Sequence, residues 1–333
     1  MKLFDFEEER IKQEILKFGA KKVLIQMPEG LKPEAPRIAK IIEKTGAFAV
    51  ISANPCYGAC DLAVAEAESL NVDLIIHFGH SKMLKYESVP TIYIEARATV
   101  RTDEAIAKVL PLLKNWYKIG LVTTVQHIQA LDYVKEFLVR AGKTVMIGDT
   151  GRLEYAGQIT GCDYSNARSI AKDVECFLFV GGGRFHAIGV FLATSKPTIV
   201  ADPYENTVFS IDLEAEKIVK RRWASIEEAR NAKTFAVLVG LKQGQKRLAE
   251  AWNIKNRLEE KGRTALLFVI REITPDALTE FPTIEAYVNT ACPRISLDDS
   301  SMFKKPLLTV NETLVALDEL SWEELCRKGL LEN

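Results

Sequence analysis

One strand-and-helix pattern is written three times along the 333 residues. Each copy opens on a short apolar run: Val23-Leu24-Ile25, then Gly120-Leu121-Val122, then Val237-Leu238-Val239. Four residues past each run stands Glu29, Gln126 or Gln243. Helical stretches follow over residues 33–46, 130–142 and 245–262, each closing on a glycine, a common helix stop. A second apolar run comes at 48–51, 144–147 and 266–270, and a third within 73–80, 175–183 and 285–292. A fourth begins at Pro90, Pro197 and Pro306, which are 107 and 109 residues apart. A period this regular marks a repeated structural unit.

Continuous apolar strands alternating with amphipathic helices predict parallel sheets covered on both faces. The expected fold class is therefore α/β. It comprises three homologous small domains, each with a roughly four-stranded parallel sheet flanked by helices, arranged around a central site. The domains are expected at residues 1–100, 101–212 and 213–333, the last carrying C-terminal helices. The second boundary falls next to the charged stretch 214–232, where residues 217–222 read as a solvated linker. In such sheets ligands gather beyond the carboxyl ends of the strands.

Composition narrows the function. A formal net charge of -1 gives no electrostatic case for nucleic acid. No apolar run approaches the roughly 18 residues of a membrane span, and the charged, amphipathic N-terminal stretch is unlike a signal peptide. These features point to a cytoplasmic protein, whose six cysteines stay reduced and are free to bind metal.

Cys60, Cys162 and Cys292 each sit in a turn-like context, beside Gly58, Gly161 and Pro293. Asp61 and Asp163 directly follow two of them. They fall in three different units, and all three can reach a carboxyl edge. Three thiolates suit an iron–sulfur cluster with one iron left open. The rival is zinc, with His77 or His80 as fourth ligand. Cys176 opens an apolar strand and reads as core, and Cys326 as core or incidental. Cys56 forms CxxxC with Cys60, but Ala63 stands where the third cysteine of the usual radical S-adenosylmethionine (SAM) motif would be, so Cys56 reads as a non-ligand.

Other strand ends are candidate binding turns. Gly181, Gly182 and Gly183 open a helix and could hold an anion on their amides. His77, Gly79 and His80 end another third strand. Glu29 and Gly30 lie in a strand-to-helix turn, as do Gln243, Gly244 and Gln245.

The segments QMPEGL, NPCYGACD, DLIIHFGHS, GQITGCD, FVGGGRFH and VNTACPRISLDD, in this order, resemble the archaeal diphthamide biosynthesis family of 2-(3-amino-3-carboxypropyl)histidine synthases. They span nearly the whole chain. Cys56 is a small departure, outside the matching ligands. The resemblance implies a non-standard radical SAM enzyme with a [4Fe-4S] cluster on Cys60, Cys162 and Cys292, the catalytic and metal-binding positions. It implies cleavage of the bond from sulfur to the methionine γ-carbon and release of methylthioadenosine. The 3-amino-3-carboxypropyl group goes to the imidazole C2 of one histidine in translation elongation factor 2. A homodimer and an electron donor of unspecified identity are implied as partners. Under this reading the strand-end residues named above are candidate SAM contacts. Two alternatives remain open: a cluster-containing dehydratase or synthase of the quinolinate synthase type, and a zinc-stabilised binding module.

Overall fold

The computed structural model describes residues 3–84 and 87–331. Strand β1 (Phe4–Asp5) precedes a first sheet built from β2 (Lys22–Gln26), β3 (Phe48–Ile51), β4 (Leu74–Phe78) and β5 (Thr91–Ile94), in the order β3-β2-β4-β5. β6 (Arg97–Ala98) then turns back to pair antiparallel with β1. A second sheet follows from β7 (Lys118–Thr123), β8 (Thr144–Met146), β9 (Cys176–Val180), β10 (Thr198–Asp202) and β11 (Thr207–Ser210), in the order β11-β10-β9-β7-β8. The third holds β12 (Thr234–Gly240), β13 (Thr264–Ile270), β14 (Ala286–Asn289) and β15 (Leu307–Thr309), in the order β13-β12-β14-β15.

All three sheets share one spatial order: second, first, third, fourth. Every pairing within this shared frame is parallel. The second sheet departs from the expected four strands. Its β11 adds an antiparallel edge to β10, after a turn in which Asn206 takes φ 52°.

Burial follows position in the sheet. The interior strands β4 and β9 are buried along their whole length, and β12 from Phe235 onward. Each edge strand next to the first strand is partly exposed despite equal apolarity: β3 leaves out Phe48 and Ile51, and β13 leaves out Leu266 and Val269. After the first strand of each unit comes a 3-10 turn, Glu29–Glu34, Val125–Ala130 or Gln243–Gln245. An amphipathic helix follows each turn. Leu131–Arg140 and Leu248–Glu260 bury the same stripe, Leu131, Val134, Leu138 and Ala251, Ile254, Leu258, spaced i, i+3, i+7.

The charged stretch is not a solvated linker. It is the 19-residue helix Asp212–Arg230. Lys217, Lys220 and Arg221 are exposed as expected, but Arg222 is fully buried. Its Nε and Nη2 each donate at 2.7 Å to Glu312, while Nη1 and Nη2 reach the carbonyls of Ser296 and Leu307 at 2.7 and 2.8 Å. A planar fork whose donors are answered in this way can be buried, where a lone charge cannot. The helix thus closes onto the third sheet. One apolar core runs from the second sheet (Phe177, Phe179, Val200) into the third (Phe235, Val237, Val288), while a separate core lies under the first (Ile25, Ile38, Ile76).

Candidate metal centre at the strand ends

The shared order puts the first and third strands side by side, with their following segments leaving over opposite faces. That arrangement opens a crevice at the carboxyl edge. The register ends place Gln26 beside His77, Thr123 beside Val180, and Leu238 beside Asn289.

Cys60 lies in the loop between β3 and the helix Val64–Leu70, and Cys162 in the equivalent loop before the helix Ser165–Ile170. Cys292 follows β14 and caps the helix Pro293–Asp298. The three thiols are near enough to act on one another electrostatically. Burial pushes Cys162 up to about 12, and the charges of Cys60 and Cys292 add to it. Burial also raises Cys60 and Cys292; Cys292 adds to the rise at Cys60, and the Gln245 amide offsets part of it. The backbone N–H groups of Arg294 and Ile295 act against burial at Cys292. Cys56 and Cys176 are also raised to about 12, chiefly by burial. Cys176 is wholly buried in β9, and Cys326 is half-buried in the helix Trp322–Lys328.

The third sheet grips the Cys60 loop. Gln245 Nε2 donates to Cys60 Sγ at 3.4 Å, and Gly244 N donates to the Cys60 carbonyl at 2.8 Å. A side chain at Gly244 would come within 2.6 Å of Cys60 Cα, so only glycine permits this approach. Lys242, almost fully buried, bridges Asp61 at 3.2 Å and Glu272 at 2.9 Å, and lies 4.2 Å from the Tyr57 ring centroid.

Arg294 joins the other two cysteines. It stands two residues from Cys292, and its guanidinium lies 3.8 Å from the Phe185 ring centroid. A side chain at Gly161, the neighbour of Cys162, would touch that same ring at 2.9 Å. Arg294 Nη2 donates to the Phe185 carbonyl and to Asp298, at 2.9 and 3.0 Å. Its Nη1 is buried with no hydrogen-bond partner among the described residues. Neither Arg294 nor Lys242 stands out in the sequence, since each draws its meaning from residues over a hundred positions away.

The remaining candidates are placed unevenly. Glu29 and Gly30 are exposed, and Glu29 pairs with Lys32 at 2.8 Å. His77 is fully buried, with Nδ1 against Gln26 Oε1 at 2.8 Å and Nε2 against His80 Nδ1 at 3.0 Å. Gly79 takes φ 83° against Pro28. Of the glycine turn, Gly181 N donates to the Ala201 carbonyl and Gly183 N to Asp202, which spends two of its three amides within the protein. Gln243, Gly244 and Gln245 lie at the Cys60 loop. A cavity of about 630 Å³ lies elsewhere, along β5 and β1, where Arg97 already pairs with Glu95 and Arg10 with Glu7.

The family model for diphthamide synthesis proteins matches residues 27–326. The chain belongs to the diphthamide synthesis family. A 2-(3-amino-3-carboxypropyl)histidine synthase from Pyrococcus horikoshii is 40% identical over 328 residues, 97% of this chain and 94% of that one. Subunit 1 of the same synthase from Gallus gallus is 30% identical, covering 96% of this chain and 78% of its own. The crystal structure of Dph2 from Pyrococcus horikoshii with a 4Fe-4S cluster superposes with a TM-score of 0.89 over 96% of this chain and 93% of that one.

For this diphthamide synthesis family member the donor set itself tests the fit of a cluster. A trio of metal-ligand side chains with donor atoms within 4.8 Å of one another, the spacing of a single ion, is found at Cys56, His77 and His80, and not at the three coupled cysteines. Wider spacing suits a cluster of several irons more than one zinc. The hydrogen bonds already aimed at Cys60 and Cys292 sulfur are those that stabilise thiolates around iron. Among the described residues no helix is long and apolar enough to cross a membrane.

Proposed function

We propose that this chain transfers the 3-amino-3-carboxypropyl group of SAM to the imidazole C2 of a histidine in translation elongation factor 2, the first step of diphthamide synthesis. The observation that supports the reading is the mutual electrostatic influence of Cys60, Cys162 and Cys292, each from the unit of a different sheet. These residues would hold a [4Fe-4S] cluster, which when bound and reduced supplies the electron that cleaves the bond from sulfur to the methionine γ-carbon. Three homologous domains at residues 1–100, 101–212 and 213–333 surround that centre in this reading. The docking of Asp212–Arg230 onto Glu312 supports placing the last boundary before that helix.

The chain's own residues fix the reaction's geometry. Lys242, Gly244 and Gln245 hold the Cys60 loop against the third sheet, so the first cysteine cannot drift from the third. Arg294, whose charge acts on Cys292, is the proposed partner of the SAM carboxylate, since the Gly181 and Gly183 amides are engaged. Anchoring that carboxylate fixes which carbon faces the centre, and position selects the bond that breaks. Gln243 and Gly182 border the same edge and complete the proposed SAM contacts. The protein acts as a homodimer, fed by a one-electron donor.

The deciding experiment incubates anaerobic enzyme with dithionite, SAM and elongation factor 2. Mass spectrometry should find methylthioadenosine and one modified histidine. A main product of 5′-deoxyadenosine would overturn the mechanism even with the cluster in place.

A further inference from the structure

Cys56 has no part in the reaction described above, yet it is held as firmly as the cysteines that do. It is 2% exposed, and its sulfur and the ring nitrogens of His77 and His80 lie within 4.8 Å of one another. Three sets of contacts fix these groups. Lys32 Nζ donates to the Ala53 and Asn54 carbonyls at 3.1 and 2.9 Å, and the Glu29 carboxylate accepts the Cys56 backbone N–H. Gln26 Nε2 donates to the Asp61 carbonyl at 2.6 Å while its Oε1 accepts from Ala63 N at 3.1 Å, which sets the amide's orientation. His77 must then carry its proton on Nδ1, facing Gln26 Oε1, and turns the lone pair of Nε2 toward His80 Nδ1.

We propose that Cys56, His77 and His80 form a second metal site, beside the three-cysteine centre and separate from it, that takes a single zinc ion. Zinc–nitrogen bonds of about 2.0–2.1 Å in a tetrahedron set two imidazole nitrogens roughly 3.3 Å apart. The His77–His80 separation of 3.0 Å is close to that edge. Gln26 stands where the outer hydrogen-bond partner of a metal-bound imidazole belongs. One thiolate and two neutral imidazoles are a borderline-soft set, which favours zinc over magnesium or calcium. Water fills the fourth position. Binding releases the Cys56 thiol proton, and the His80 proton shifts from Nδ1 to Nε2, so one proton leaves per ion. The ion ties the loop that carries Cys60 to the end of β4.

The test uses the full-length chain with Cys60, Cys162 and Cys292 all changed to alanine, so that zinc cannot occupy the cluster cysteines. Calorimetric titration with Zn²⁺ should give one ion per chain and one proton released. Adding Cys56→Ser, or in a separate variant His80→Gln, should weaken binding by about 100-fold or more. Co²⁺ in place of zinc should show a thiolate charge-transfer band that Cys56→Ser removes. In the otherwise unaltered enzyme, Cys56→Ser should keep its iron. Absence of bound zinc in the triple variant, or undiminished binding after Cys56→Ser, overturns the site. Neither result bears on SAM cleavage, so this proposal and the proposed reaction fail separately.

Discussion

Cys176 and Cys162 are both buried thiols pushed up to about 12, yet only Cys162 has other thiols beside it. Burial alone therefore does not mark a cluster ligand: two other thiols act on Cys162 at once, one on Cys56 and none on Cys176. Cys60→Ala, Cys162→Ala and Cys292→Ala should each lose most bound iron after anaerobic purification, whereas Cys176→Ala and Cys326→Ala should keep it. Iron content together with visible absorbance decides. Arg294→Lys keeps the charge but loses the fork, and should raise the Kd for SAM by roughly 10- to 100-fold, the worth of one charge-assisted hydrogen bond. An unchanged Kd would remove Arg294 from the pocket. His127 lies outside the site, is 2% exposed, and is lowered to about 4 by burial. A base whose pKa falls on folding stabilises the fold above its unfolded value of about 6.5, and that stability drains as pH falls toward 4. The metal-free chain should lose roughly 2 kcal/mol from this one group between pH 7 and pH 5. The gap between urea melts at the two pH values should narrow by about that amount in His127→Gln, while His77, His80 and His186, also lowered by burial, keep the rest. The turn residues around the cysteines were legible in the sequence because glycine, proline and aspartate announce turns. Arg294 and Lys242 were not, because pairing across sheets leaves no local pattern.

Strands and helices were legible because their periodicities repeat three times, and repetition separates signal from accident. Two features escaped. The hairpin that adds β11 follows β10 within a few residues, and its pattern looks like any short apolar run. The helix Asp212–Arg230 hides Arg222 among exposed basic residues, and nothing local tells a buried fork from a solvated one. Breaking that pair should be costly. Arg222→Met leaves Glu312 buried and unpaired, and should destabilise by about 3–5 kcal/mol. The double change Arg222→Met with Glu312→Leu should recover much of this, short of the lost helix cap that Glu312 also makes at Thr309. Denaturant midpoints of the two variants check the order. A single variant as stable as the double would mean that the ion pair does not hold the helix.

At the scale of the molecule, three sheets share one strand order, and the proposed centre takes one cysteine from the unit of each. The edge strand β13 leaves Leu266 and Val269 in solvent, 47% and 64% exposed, which offers apolar surface to a second copy. Light scattering at micromolar concentration should give about twice the chain's 37.2 kDa. A mass of one chain would contradict the homodimer.

The spread of the cysteines along the chain also has a bearing on time. Cys60 leaves the ribosome 232 residues before Cys292. At roughly 5–20 residues per second that interval is on the order of 10–50 s. Until that interval ends the first thiol lacks at least one of its two companions, and for most of it the Gln245 amide and Gly244 contact that hold it in place are also still to be made. A nascent chain therefore has no finished cradle to receive iron and sulfide, and loading must wait until synthesis has passed Cys292 and the third sheet has closed over the first.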